Sequence, residues 1–175
     1  RGKILRIHPE ADGSYSIPEG NLFAPGTENT RPEIYVMGNR NPFRISVDTH
    51  TGYLYWGEVG PDSGTDSENY GPRGHDEINQ ARGPGNFGWP HFVGNNKAYK
   101  KYDFVNKSFG KKFNDPLNPV NTSPNSDGLK GLPAAQDAFI WYPAAMSAEF
   151  PELGKGGRTA MAGPVYYSSD YQNSD

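Results

Sequence analysis

Arg40-Asn41, between Gly38 and Pro42, set a guanidinium fork beside an amide at what reads as a strand entrance. Such a pair can hold a carboxylate or a carbonyl-rich ligand. The plainer alternative is a turn in which Arg40 pairs with an acid and Asn41 bends the chain before proline. Downstream, Glu58, Asp62, Asp66, Glu68, Asp76 and Glu77 put six carboxylates within twenty residues. Hard cations such as Ca²⁺ take oxygens from carboxylates and loop carbonyls, although the spacing here is not that of an EF-hand. A solvated acidic loop is the commoner origin of this composition. Two of the carboxylates, such as Glu58 and Asp76, would also serve as the acid and base of a glycosidase if suitably separated. His8, His50, His75 and His91 are scattered without ligand spacing, and neither a nucleophile elbow nor a phosphate loop occurs. His75 reads as a surface histidine beside an acid, and Trp89, between Gly88 and Pro90, as a core plug.

These residues need a scaffold of short strands. Residues 3–7 and 15–17, around a turn at 9–13, predict a hairpin, and residues 32–37 a further strand. Residues 43–48 alternate strictly, turn at 49–52 and return through 53–56, the clearest hairpin in the chain. Residues 60–75 hold Gly, Pro and acids without apolar periodicity, a loop long enough to carry a function. Residues 76–80 read as a strand leaving that loop. Residues 95–135 form an irregular excursion pinned by Phe104, Phe109 and Phe113. Residues 138–142 and 159–167 are two more strand candidates, and the one helix-like window, 134–138, is too short to count. This spacing fits a sandwich, a barrel or propeller blades, and the strand order of 43–80 favours sequential pairing within one blade.

The 175 residues carry 22 Gly and 16 Pro, too many for long helices, and 13% aromatics, too many for a disordered linker. A formal charge of −3 from mixed signs gives no nucleic-acid surface. Without Cys, disulfides, thiolate metal sites and Cys nucleophiles are excluded. No apolar run approaches a membrane span, and no signal segment is present. Both ends read as cut from a longer chain, with any targeting segment upstream.

In combination, Arg40-Asn41-Pro42, the hairpin to Trp56, Gly60-Pro61, Asp76-Glu77-Ile78-Asn79 and Gly85-Asn86-Phe87-Gly88-Trp89-Pro90 resemble the glucose/sorbosone dehydrogenase family of soluble quinoproteins. The similarity is strongest over residues 32–94 and extends to 2–7 and 157–164. It implies an all-β fold, part of a six-bladed β-propeller, with residues 1–175 as a single partial domain of two to three blades. It also implies pyrroloquinoline quinone (PQQ) bridged to the protein by Ca²⁺, with Arg40 and Asn41 contacting the quinone and the carbonyls of Gly60 and Pro61 ligating the metal. The implied activity is oxidation of a sugar hydroxyl with electrons passed to an external acceptor, in a periplasmic or secreted protein. No residue here matches the family's catalytic histidine, which lies outside this stretch, and Phe43 stands where the family commonly has a cofactor-contacting Gln. The remaining blades, or a second copy, are expected to cover the open faces. The rival readings are a non-catalytic, Ca²⁺-stabilised propeller that binds carbohydrate or protein, and the carboxylate glycosidase.

Overall fold

Strands form where β-branched and aromatic residues alternate, and the turns fall at the Gly, Pro and Asn positions between them. The computed structural model describes residues 2–112 and 115–171. Its main element is a four-stranded antiparallel sheet ordered β13 (Ile140–Tyr142), β7 (Asp76–Ala81), β6 (Leu54–Glu58), β5 (Pro42–Val47). Three of its strands are consecutive in the chain, the sequential pairing expected of residues 43–80. The fourth returns from some sixty residues downstream to pair Ile140 with Ile78 and Tyr142 with Asp76.

A three-stranded sheet orders β1 (Ile4–Leu5), β4 (Ile34–Met37) and β8 (Gly85–Asn86). The hairpin expected of residues 3–17 is thus split. Ile4 and Leu5 pair with β4, while β2 (His8–Pro9) and β3 (Tyr15–Ser16) make a separate two-stranded ribbon across the predicted turn. Pro9 cannot donate to a ladder and confines that ribbon to two residues on each side.

Three of the remaining strands lie inside the stretch expected to be irregular. β9 (Phe92–Val93) pairs with β10 (Lys97–Ala98), and β11 (Lys100–Asp103) pairs with β12 (Ser108–Lys112). Asp103 makes the second hairpin close, accepting the N–H groups of Val105 and Asn106 at 2.8 and 3.0 Å, and Lys107 takes a positive φ. Phe104 does not pin this excursion. It is 83% exposed and meets Tyr102 edge to face, while Phe113 lies outside the described residues. Residues 159–167, a strand candidate, form no ladder; their role emerges at the site below.

Among the described residues there is no α-helix, and no helix long and apolar enough to cross a membrane. The core joins the two larger sheets: Val36 from β4, Leu54 and Trp56 from β6, Ala81 from β7, and Phe87 just after β8. Trp56 and Phe87 meet edge to face at 4.7 Å between ring centroids.

Register explains what lies at the end of that core. Side chains on one face of a strand repeat every second residue. Leu54, Trp56 and Glu58 therefore share the buried face of β6, and Ala81, Asn79 and Glu77 share that of β7, with Glu58 directly opposite Glu77. The apolar column of the sheet thus ends in two buried carboxyl groups.

Candidate functional site

The sheet ends gather the predicted residues. Arg40, Glu58, Gly60, Pro61, His75 and Glu77 line one small cleft, closed on a further side by the half-buried Trp89. Trp89 is therefore a cleft wall rather than a core plug, set edge-on to Tyr99 at 5.8 Å and lying 5.9 Å from the Arg40 guanidinium carbon.

Arg40 is exposed and donates through Nη1 to the Val59 carbonyl at 2.8 Å; among the described residues it forms no ion pair. Its remaining guanidinium donors are available to a ligand. Asn41 is exposed beside it and exchanges its backbone carbonyl for the Val59 N–H at 3.2 Å. The backbone N–H groups of Arg40 and Asn41 both point at Glu58 Oε1, the second at 2.7 Å.

Gly60 and Pro61 are fixed by Asp76, which is fully buried. Asp76 Oδ1 accepts the Gly60 N–H at 3.0 Å and Arg158 Nη1 at 3.1 Å, and Oδ2 accepts the Ala160 N–H at 2.9 Å. Arg158 Nη2 then donates to the Pro61 carbonyl at 3.1 Å. A Cβ on Gly60 would strike the His75 carbonyl, and one on Gly74 the Pro61 carbonyl, so the two limbs of the 60–75 loop close only through glycine. The coil at 158–161 crosses β6 at Gly57, where a Cβ would meet the Ala160 backbone. That crossing is what the strand candidate at 159–167 does instead of pairing.

Electrostatics split the acidic stretch in two. Asp62, Asp66 and Glu68 are exposed, and Asp66 is held at about 2 by its bonds to Arg73, whose Nη2 lies 2.8 Å away. Glu58 and Glu77 are buried, and loss of hydration pushes each up to about 7. Glu77 accepts the Gly94 N–H at 2.6 Å and Asn79 Nδ2 at 3.0 Å. Glu58 Oε2 has no hydrogen-bond partner among the described residues. His75 is buried, not a surface residue, and burial holds its ring below the usual histidine range. Nδ1 lies 2.9 Å from the Arg73 carbonyl, so it carries the proton and Nε2 is left as an acceptor.

This geometry removes the glycosidase pair. Asp76 has no exposed surface and already holds three donors, so it can neither reach a glycosidic oxygen nor activate water. Among the described residues no group of three or more His, Asp or Glu side chains is placed to hold a metal ion.

Sequence reasoning singled out Arg40, Asn41, Gly60 and Pro61 but not the groups that hold them. Arg158 follows a Gly-rich stretch and pairs with an acid 82 residues away, so no local pattern marks it. Glu58 carried a usable signal: the alternation Leu54, Trp56, Glu58 puts its carboxyl on the apolar face.

The scaffold is all-β among the described residues and sets an exposed guanidinium beside a glycine-closed loop at its strand ends. The glucose/sorbosone dehydrogenase pattern matches residues 1–136, and the chain belongs to that family. It is 29% identical over 191 aligned positions to quinoprotein glucose dehydrogenase B of Acinetobacter calcoaceticus, covering 93% of this chain and 36% of that protein. It is 36% identical over 106 residues to the HIPL2 protein of Arabidopsis thaliana, covering 53% of this chain and 14% of the plant protein. A solved structure described as that of a glucose dehydrogenase superposes with a TM-score of 0.43 and 20% identity, over 81% of this chain and 30% of the other. The chain thus spans little more than a third, or less, of the length of these relatives.

Proposed function

We propose that the chain supplies part of the PQQ site of a sugar dehydrogenase, in a six-bladed propeller of which these sheets form two to three blades. The observation that carries this reading is the convergence of Arg40 and the Gly60-Pro61 loop on one cleft, with Asn41 exposed next to Arg40, in a chain of this family. The exposed guanidinium and amide suit a ligand that carries carboxylates and adjacent carbonyls. When bound, PQQ supplies the acceptor for the hydride removed from the sugar carbon, and an external acceptor then takes the electrons. Arg40 would hold the cofactor by charge and Asn41 would orient it. Trp89 would keep water from that side.

The Pro61 carbonyl does not fit as a calcium ligand in this arrangement. The Pro61 carbonyl already accepts the Ser63 N–H at 2.9 Å and Arg158 Nη2, which uses both lone pairs and sets a guanidinium where a cation would approach. We assign the base to a histidine beyond this chain, as in the family, and place the protein in the periplasm or outside the cell on the same resemblance.

The experiment is a titration of the full-length protein with PQQ, following cofactor absorbance and sugar-dependent dye reduction together. Saturable binding, weakened about tenfold or more by Arg40→Ala, is the expected result, since a charge-assisted bond is lost. No binding to a protein shown to be folded would favour the second reading, a propeller that binds carbohydrate or protein without the quinone. Phe43 favours that second reading. It is 45% exposed on β5 and offers a ring, not an amide.

A further inference from the structure

We propose that Glu58 is a positioning residue of this site: one oxygen of its carboxylate holds the backbone of both Arg40 and Asn41, and so sets where their side chains stand. The ligand in this statement is the one proposed above; the clamp itself rests on geometry.

The chain arrives at the site by a route that leaves two donors without a ladder. Asn39 gives its N–H to the Gly2 carbonyl at 3.2 Å, and Pro42 has no N–H to give. Arg40 and Asn41 lie between them, ahead of the first β5–β6 pair, Pro42 with Glu58. Their two N–H groups converge on Glu58 Oε1, which returns from the end of β6 beneath them. The next residue completes the tie, since Val59 accepts Arg40 Nη1 at 2.8 Å and donates to the Asn41 carbonyl at 3.2 Å. Gly60 follows Val59 directly, so a single strand end carries both halves of the cleft.

Glu58 is 4% exposed, and nothing about a solvated acid would place it there. Its position directly opposite Glu77, a second buried carboxyl, works against burial, so the two backbone bonds are what offset it. The strand beyond is irregular in a way that makes the clamp necessary. The β5–β6 register slips between Phe43 and Ile45, and Arg44 takes a φ of 59°. Regular pairing therefore cannot transmit position from the middle of β5 back to Arg40.

The test compares Glu58→Ala and Glu58→Gln in the full-length protein by hydrogen–deuterium exchange at residue resolution, without cofactor, and by PQQ affinity. Glu58→Ala is expected to speed exchange of the Arg40 and Asn41 amides by about tenfold or more and to weaken PQQ binding by a similar factor, with the middle of β6 and β7 unchanged. Glu58→Gln keeps a carbonyl oxygen at the same reach, and it is expected to restore both readouts to within about threefold of the parent. Unchanged Arg40 and Asn41 exchange in Glu58→Ala would overturn the clamp, as would a uniform rise across β5, β6 and β7, which reports only lost stability. Selective loosening in a protein that never binds PQQ would uphold the clamp and overturn the proposed function instead.

Discussion

Arg158 is the residue on which the metal question turns. It ties two groups that would otherwise repel no cation at all: the buried Asp76 carboxylate and the Pro61 carbonyl. Replacing it with Met keeps bulk and removes both donors. The uncompensated Asp76 charge is then expected to cost about 3–5 kcal/mol, the usual penalty for breaking a buried pair. The same substitution leaves a carboxylate oxygen and a carbonyl facing one gap, the donor chemistry that Ca²⁺ prefers. Millimolar Ca²⁺ is therefore expected to return part of the loss in Arg158→Met and to leave the parent unchanged, as read from urea unfolding midpoints. An equal gain in both proteins would show that Pro61 is open to calcium with the guanidinium in place.

At the scale of elements, β6 and β7 carry a pH response. Glu58 and Glu77 face each other across the pair and titrate at about 7 when folded, against an ordinary value of 4.5. Asp76 and the buried Tyr99 hydroxyl, itself pushed up by burial and by Glu77, stand close by. Between about pH 4.5 and 7 these two carboxyls hold protons in the folded state that they lose on unfolding, so their contribution to stability falls as pH rises, while His75 and His91, held below the usual histidine range by burial, contribute with the opposite sign. Below it the sign reverses, because Asp48 and Asp66 are held low and lose their bonds on protonation. Glu77→Gln removes one of these contributions, so its urea midpoint relative to the parent is expected to rise from pH 5 to pH 7.5. A difference between the two proteins that does not change with pH would contradict the burial of this carboxyl.

The same two strands show what the sequence can and cannot carry. Strict alternation and a Thr-Gly turn make the β5–β6 hairpin legible, and β7 reads as a strand leaving the loop although its residues are mostly polar. Arg40-Asn41 and Gly60-Pro61 are legible as a motif. Their convergence is not, because it depends on a carboxylate, Asp76, meeting an arginine far along the chain. The excursion misled for a different reason. Lys and Asn carry little strand propensity, so the β11–β12 hairpin rests on the Asp103 turn and the Tyr102–Phe109 ring contact at 4.9 Å rather than on alternation. Residues 159–167 misled in the opposite direction. Their apolar run packs as coil against Gly57, and the Ala160 N–H is spent on Asp76.

At the scale of the whole molecule, surface decides. The chain exposes 11278 Å², whereas a compact monomer of this mass exposes roughly 8,500 Å². Part of the excess is apolar and ordered: Ile45 and Val47 are 55 and 59% exposed along β5, an edge of the four-stranded sheet, and Phe43, across the register slip, is 45% exposed. An edge that offers both unpaired backbone and an apolar row invites a further strand. In the propeller proposed here, neighbouring blades cover that row. Studied without them, the 175-residue chain is expected to self-associate at micromolar concentrations, and Ile45→Lys, at the exposed position paired with Trp56, to suppress this by charging the edge. Sedimentation velocity separates the outcomes. Association relieved by Ile45→Lys would place the contact on β5, whereas a monodisperse parent chain would show that the sheet closes without further blades and would remove the main structural reason for invoking them.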